Sequence, residues 1–391
     1  MKPLRPGQTL GILGGGQLGR MMTTEARRMG LRVKVASEPG TPRSQSLADE
    51  TIDVERDDSE PLHRFIEDCD ALTFESENWS ADLLEEVSRR VWLAPCVAIQ
   101  RIAQHRRREK EFVQSIGAPV VPYLVVESAA DLAATRDWEG RDAILKTSQF
   151  GYDGKGQERV TSFAAIESAW KSFGGVACVL EQRIAIDVEL SVIGCRGAGG
   201  EFVAYGPLLN VHRRHILDLT VSHARFDPAL SREAIEIVRS IMEAQQVVGT
   251  LCVEFFVANG KLYVNEMAPR PHNSGHLTIE GCIASQFENH VRAVAGWPLG
   301  SSEFRQPTAM VNLLGDLWEL GEPNWSAAHA HTDCHLHLYG KSDAKAGRKM
   351  GHLTALGTNA RQAATRALQA RHAVAERLID AELPREIAEF L

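Results

Sequence analysis

Apolar residues in the first hundred positions come as short runs separated by helix-spaced patterns. Thr9–Leu13 reads as a buried strand, Gly14–Gly19 as a turn, Gln17–Met29 as a helix and Arg32–Ala36 as a second strand. Ala71–Phe74 is another short apolar run, and Ala81–Arg90 is a helix with acidic residues early and arginine late, as the helix dipole favours. Strand and helix in alternation predict βαβ units on a parallel sheet.

Near Gln100 the rhythm changes. Ile102–Ser115 reads as one charged helix stopped by Gly117 and Pro119. Strands then come in pairs of antiparallel character: Ala143–Thr147 with Glu158–Val160, and Ala177–Gln182 with Val188–Gly194. The tract from Gly194 to Gly200 is a hairpin turn. A helix at Ser231–Gln245 precedes a further hairpin, Leu251–Val257 with Lys261–Glu266, and short strands with a closing helix, Ala360–Leu378, follow from about Pro307. The expected fold class is therefore α/β with α+β. Three units are expected, 1–100, 101–305 and 306–391, as suits a chain of 391 residues.

Composition narrows the function classes. A net charge of −8 speaks against a nucleic-acid partner, whose phosphates need an excess of Lys and Arg, although Arg106-Arg107-Arg108 suits one small anion. No stretch approaches the roughly 18 apolar residues of a membrane span, and the N-terminal residues resemble no signal peptide. The 7 cysteines are scattered and form no CxxC pair. Neither a disulfide framework nor a zinc site is expected, and the expected compartment is the reducing cytoplasm.

Four patterns carry candidate chemistry. Gly14, Gly16 and Gly19 form GxGxxG after a strand, with Glu38 about twenty residues on. Three readings stay open for that turn: tight packing of helix on strand, a dinucleotide site, or amides that bind a single phosphate with help from Gln17 and Arg20. Gly151–Gln157 lies between two strands, so it is neither a Walker loop nor a Rossmann turn; a three-glycine hairpin loop can close over a polyphosphate. Lys146, in an apolar strand just upstream, is costly to bury unless it meets an anion or points outward from an edge strand. Asp153 in the loop is a turn residue or the acceptor of a substrate amine proton.

The acidic pair is the third pattern and a rigid polar segment the fourth. Glu254 and Glu266 flank Ala258-Asn259-Gly260. A three-residue loop would pair Val257 with Lys261 and place both glutamates on one sheet face, two positions apart; a two-residue Asn-Gly turn would split them. Like charges on one face are either solvated surface carboxylates or call for a cation, and oxygen-only ligation suits magnesium. Pro269–His276 follows, dense in groups that hold anions; it is a capped loop or a segment whose arginine clamps a phosphate or carboxylate. By contrast His329, His331, His335 and His337 have the spacing of strand alternation and no carboxylate at ligand spacing, so a half-exposed strand is expected there.

A lysine strand, a glycine loop and two glutamates on a hairpin, in that order, resemble the ATP-grasp superfamily. Within it the chain resembles the 5-(carboxyamino)imidazole ribonucleotide synthases of purine biosynthesis, the ATPase subunits of phosphoribosylaminoimidazole carboxylase. The resemblance rests on Gly14–Met21, Thr73-Phe74-Glu75, Gly151–Gln157, Asn265–His276 and Gly347–His352. It implies a Rossmann-like first domain, a two-lobed ATP-binding domain and a small β-rich C-terminal domain. It implies ATP contacts at Arg106, Lys146, Gly151, Tyr152, Asp153, Gly154, Lys155, Gly156, Gln157, Glu181, Gln182, Arg183, Ile184, Glu189, His212, Asn265 and Glu266, and magnesium on Glu254 and Glu266. Gln17, Leu18, Glu75, Tyr152, Arg270, His272, Arg348 and Lys349 are the implied substrate positions, with Asp153, Lys155, Arg270, His272 and Lys349 the implied catalytic ones. His105 stands where the family carries an acidic residue, and Lys155 replaces a common arginine, which turns a bidentate contact into a point charge.

The implied activity is an ATP- and Mg2+-dependent carbon–nitrogen ligase that carboxylates aminoimidazole ribonucleotide with bicarbonate, in a homodimer without nucleic-acid or membrane partners. The rival readings are a formate-dependent glycinamide ribonucleotide transformylase, a nicotinamide oxidoreductase built on Gly14–Gly19, which explains nothing after residue 140, and a nucleotide-binding regulator without turnover.

Overall fold

The computed structural model describes residues 2–39, 47–55, 59–149, 151, 154–375 and 381–391. Three sheets organise them. The first has five parallel strands in the spatial order Glu50–Asp53, Arg32–Ser37, Thr9–Leu13, Ala71–Phe74, Trp92–Leu93. Thr9–Leu13 is central and buried throughout, which is why it reads as a continuous apolar run. Helices Gln17–Arg28, Ser59–Ile66 and Ala81–Ser88 make the crossovers, so the expected βαβ rhythm is present.

The second sheet is antiparallel, in the order Tyr123–Val126, Cys178–Gln182, Ala143–Thr147, Gln157–Val160. The third has eight antiparallel strands: Lys261–Ala268, Gly249–Ala258, Val188–Arg196, Phe202–Arg213, Ile216–Val221, Thr308–Leu314, Lys349–Leu356 and Cys334–Leu338. One face of this sheet is covered by Pro228–Ala244 and Ala360–Val374, through Ile237, Val238, Ile241, Ala363, Ala367 and Leu368 packed on Leu190, Val192, Leu209, Leu219, Val253 and Phe255. Glu254 alternates with Val253 and Phe255 and so faces the other way.

Four expectations change. The single helix Ile102–Ser115 is two helices, Val97–Ala103 and Arg106–Ser115. His105 is extended between them, with the Gln104 amide donating to the Glu77 and Trp79 carbonyls at 2.6 Å each. Those tertiary acceptors interrupt a pattern that is locally helical. Cys178–Gln182 and Val188–Arg196 do not pair: they belong to different sheets, and residues 183–187 carry the chain from one to the other. Period-two alternation marks a strand without naming its neighbour. The histidine tract is mixed, since His329 ends the helix Trp325–His329, His331 lies in a turn, and only His335 and His337 stand on a strand.

The fourth change concerns the acidic pair. Asn259 and Gly260 form a two-residue turn with both φ angles positive (52° and 69°), which sets Ala258 against Lys261. Continued unbroken, that register would oppose Glu254 to Asn265. A β-bulge at Asn265 adds one residue, and Glu254 stands directly opposite Glu266. The two acids share a face by a different route from the three-residue loop.

Candidate functional site

The three sheets converge on one cavity of about 1420 Å³. Its first wall is the second sheet. Lys146 lies on an interior strand, not an edge, and is 7% exposed. Its ammonium reaches the Glu181 carboxylate at 2.8 Å, and Lys110 reaches the other Glu181 oxygen at 3.0 Å. Burial opposes charge on Glu181, but the two lysines overcome it and hold the carboxyl at about 2. Burial first, then Arg106 and Lys110, pull Lys146 below its ordinary value against the attraction of Glu181. Two ammonium groups on one carboxylate leave that corner with a surplus positive charge, which suits a polyphosphate.

From the glycine loop, Gly151, Gly154, Lys155 and Gln157 line the cavity. Gly156 turns inward, its carbonyl accepting from the Thr147 amide at 2.8 Å. Tyr152 and Asp153 lie outside the described residues. Gln182, Arg183 and Ile184, from the segment between the two sheets, also face the cavity.

Opposite stands the acidic hairpin. Burial raises Glu254 above the ordinary carboxyl range, and the facing Glu266 charge raises it further. Arg106 approaches Glu266 at 3.5 Å and His272 approaches Glu254 at 3.4 Å. Two carboxylates forced together in this way fit a divalent cation; among the described residues no group of three or more His, Cys, Asp or Glu is set for a metal. Asn265 lines the cavity beside them, and Glu189 and His212 make a 2.8 Å pair on its wall.

The third wall joins the first domain to the strand Lys349–Leu356. The amides of the first glycine turn are not offered to solvent: Gly16 and Gly19 donate to the Glu75 carboxylate at 2.5 and 2.6 Å. An internal acid occupies the place a dinucleotide pyrophosphate would need, so that reading and the single phosphate on those two amides both fall. Gln17 and Leu18 remain at the rim. Arg270 pairs with Glu77 at 2.8 Å, and Lys349 lines the same region. Arg348 stands outside the lining, its guanidinium donating to the Asp343 carbonyl at 2.8 Å.

Sequence reasoning passed over Glu77, Glu109, Lys110, His215 and Lys341. Glu109 and Lys110 sit on the buried face of a helix that the sequence marks only as charged. Lys341 donates to Gln17 Oε1 and to the Lys349 carbonyl, both at 2.7 Å, so it bridges the first domain and the last sheet strand. Burial, with Arg348 and Lys349 adding, lowers it to about 8. Its only sequence signal was the cationic tract from Lys341 to Lys349.

Known proteins show the same arrangement. Residues 7–104 match the ribonucleotide synthetase preATP-grasp domain, 111–287 the ATP-grasp domain and 308–366 the phosphoribosylaminoimidazole carboxylase C-terminal domain. The N5-carboxyaminoimidazole ribonucleotide synthase of Bacillus subtilis is 38% identical over 350 residues, covering 89% of this chain and 91% of that one. The chain belongs to the N5-carboxyaminoimidazole ribonucleotide synthase family. Of the family's solved structures, an ADP complex superposes with a TM-score of 0.88 at 36% identity, covering 95% of this chain and 98% of that one. The family's Aspergillus clavatus synthase, solved with ADP and 5-aminoimidazole ribonucleotide, gives 0.83 at 29% identity, with 95% and 99% covered. The bifunctional purine synthesis protein purC/E of Dictyostelium discoideum is 39% identical over 375 residues, covering 90% of this chain and 37% of that longer one. Family members are therefore found both alone and within a longer chain.

Proposed function

We propose that the chain is an ATP-dependent carbon–nitrogen ligase that joins bicarbonate to the exocyclic amine of 5-aminoimidazole ribonucleotide, giving N5-carboxyaminoimidazole ribonucleotide, ADP and phosphate. One observation carries this reading: a single cavity is lined at once by the Lys146 strand, the glycine loop, the Glu254–Glu266 pair and the Arg270–Lys349 wall.

Lys146, Arg106 and the amides of 151–157 would hold the triphosphate, and Gln182 to Ile184 the base. Magnesium on Glu254 and Glu266 would neutralise charge on the phosphate oxygens. Arg270, His272 and Lys349 would hold bicarbonate beside the terminal phosphate. Bicarbonate oxygen attacks that phosphorus, ADP leaves, and carboxyphosphate results. The substrate amine then takes the carboxyl carbon, inorganic phosphate departs, and Asp153 accepts the amine proton. Tyr152 and Lys155 would contact the substrate, and keeping water from the reacting groups would spare the acyl phosphate. Gln17, Leu18 and Glu75 would border the ribonucleotide, and Lys341 would supply a cation that its phosphate requires.

Three working units, 1–100, 101–305 and 306–391, a cytoplasmic setting and a homodimer complete the proposal; among the described residues no helix is long and apolar enough to cross a membrane. The test is ADP release with bicarbonate and the aminoimidazole ribonucleotide each omitted in turn. Full turnover should need both. Turnover with formate and glycinamide ribonucleotide instead would point to the transformylase chemistry. Glu266→Ala should abolish magnesium-dependent turnover, and an active variant would remove the metal assignment.

A further inference from the structure

We propose that Glu109 is a positioning residue for the acidic pair: its side chain fastens the bulged edge strand so that Glu266 stands opposite Glu254. The inference rests on reading those two glutamates as a divalent-cation site.

Lys261–Ala268 is the outermost strand of the eight-stranded sheet and, among the described residues, has a partner strand on one side only. An edge strand carrying a bulge is the least constrained place in a sheet for a ligand whose position matters. Here the outer edge is tied at two points that bracket the extra residue. Before the bulge, the Val264 amide donates to the Pro119 carbonyl at 2.8 Å, and Val120 bridges to Val264. After it, the Met267 amide donates to Glu109 Oε1 at 2.6 Å. Met267 is 4% exposed and Glu109 3%, so water offers neither a substitute. The first tie is backbone to backbone, and the second depends on one side chain.

Glu109 is also well placed for the task. Arg106, Glu109 and Lys110 follow the i, i+3, i+4 spacing that puts side chains on one helix face. Arg106 reaches Glu266, Lys110 reaches Glu181, and Glu109 takes the backbone between them. One rigid face therefore sets the distance between the Glu181 corner and the acidic pair. Glu109 itself is a third acid in this corner, but its Oε1 is directed at the strand amide, so the side chain orients the site.

The test uses the full chain with Mn2+ as the metal and ADP present, reading free Mn2+ by electron paramagnetic resonance. Glu109→Ala should weaken Mn2+ binding by about tenfold or more, the usual effect of losing a group that orients a ligand. ADP binding without metal, read by fluorescence, should change far less. Glu109→Gln, whose amide oxygen can accept the same N–H, should return Mn2+ affinity to within about threefold of the parent protein. Should the alanine variant fail to fold, Glu109→Met keeps the bulk without the acceptor and carries the same expectation. Unchanged Mn2+ affinity in the variants lacking an acceptor overturns the inference, as does a glutamine variant as weak as alanine. If the parent protein with ADP binds no Mn2+, the reading of the acidic pair fails instead, and the two failures are told apart by that control.

Discussion

Replacing Glu181 by Gln removes one charge and no bulk from the most tightly balanced corner of the site. In the folded protein the Glu181 carboxyl is held at about 2, against an ordinary 4.5, because Lys146 and Lys110 outweigh the cost of its burial. That gap corresponds to about 3 kcal/mol of folding stability, at about 1.4 kcal/mol per pH unit. Removing one partner of a buried ion pair costs about 3–5 kcal/mol by a separate route, because the remaining charges lose their counter-ion. The two figures agree, so Glu181→Gln should lower stability by about 3 kcal/mol at pH 7. The sign follows from the direction of the change. A depressed carboxyl stabilises above its unfolded value and loses that contribution as pH falls towards its folded value. At pH 3 the difference between the two proteins should therefore shrink to about half. Urea unfolding at the two pH values measures this directly. Saturating ADP should narrow the gap at pH 7, since its phosphates would take over as counter-ion. Equal stabilities at pH 7, or a penalty that does not change with pH, would refute the ionised triad.

Three further outcomes follow from other parts of the site. Lys341 titrates at about 8, so its cation is present below that pH and lost above it. The KM for aminoimidazole ribonucleotide should rise up to about tenfold per pH unit above 8, and Lys341→Met should flatten that rise in steady-state kinetics. Gly19→Ala would push a methyl group into the Gly14 carbonyl oxygen, a backbone atom that cannot move aside cheaply. The variant should lose ribonucleotide binding in calorimetry and keep ADP binding. Arg371 is almost fully buried with Asp218, which accepts from it at 2.5 Å, so Arg371→Met should cost about 3 kcal/mol in urea unfolding, leaving that acid only the half-exposed Arg213 at 3.4 Å as counter-ion.

What the sequence could determine was whatever repeats or announces itself locally. Alternating strand and helix signals identified the parallel sheet, because βαβ crossovers impose that rhythm on any chain. Lys146 was legible as an anion partner because an apolar strand makes an ammonium conspicuous. The hairpin of Glu254 and Glu266 was legible through Asn259-Gly260. Other features depend on groups far apart in the chain, and only the tertiary structure decided them. The bulge at Asn265 has no local signal and is fastened from outside by Glu109 and Pro119, yet it puts the two acids face to face. Glu75 on the amides of Gly16 and Gly19 turned a phosphate-like loop into an internal contact across more than fifty residues. Cys178–Gln182 and Val188–Arg196, neighbours in sequence, went to different sheets, because a strand's alternation fixes its faces and leaves its partner to the packing of everything else.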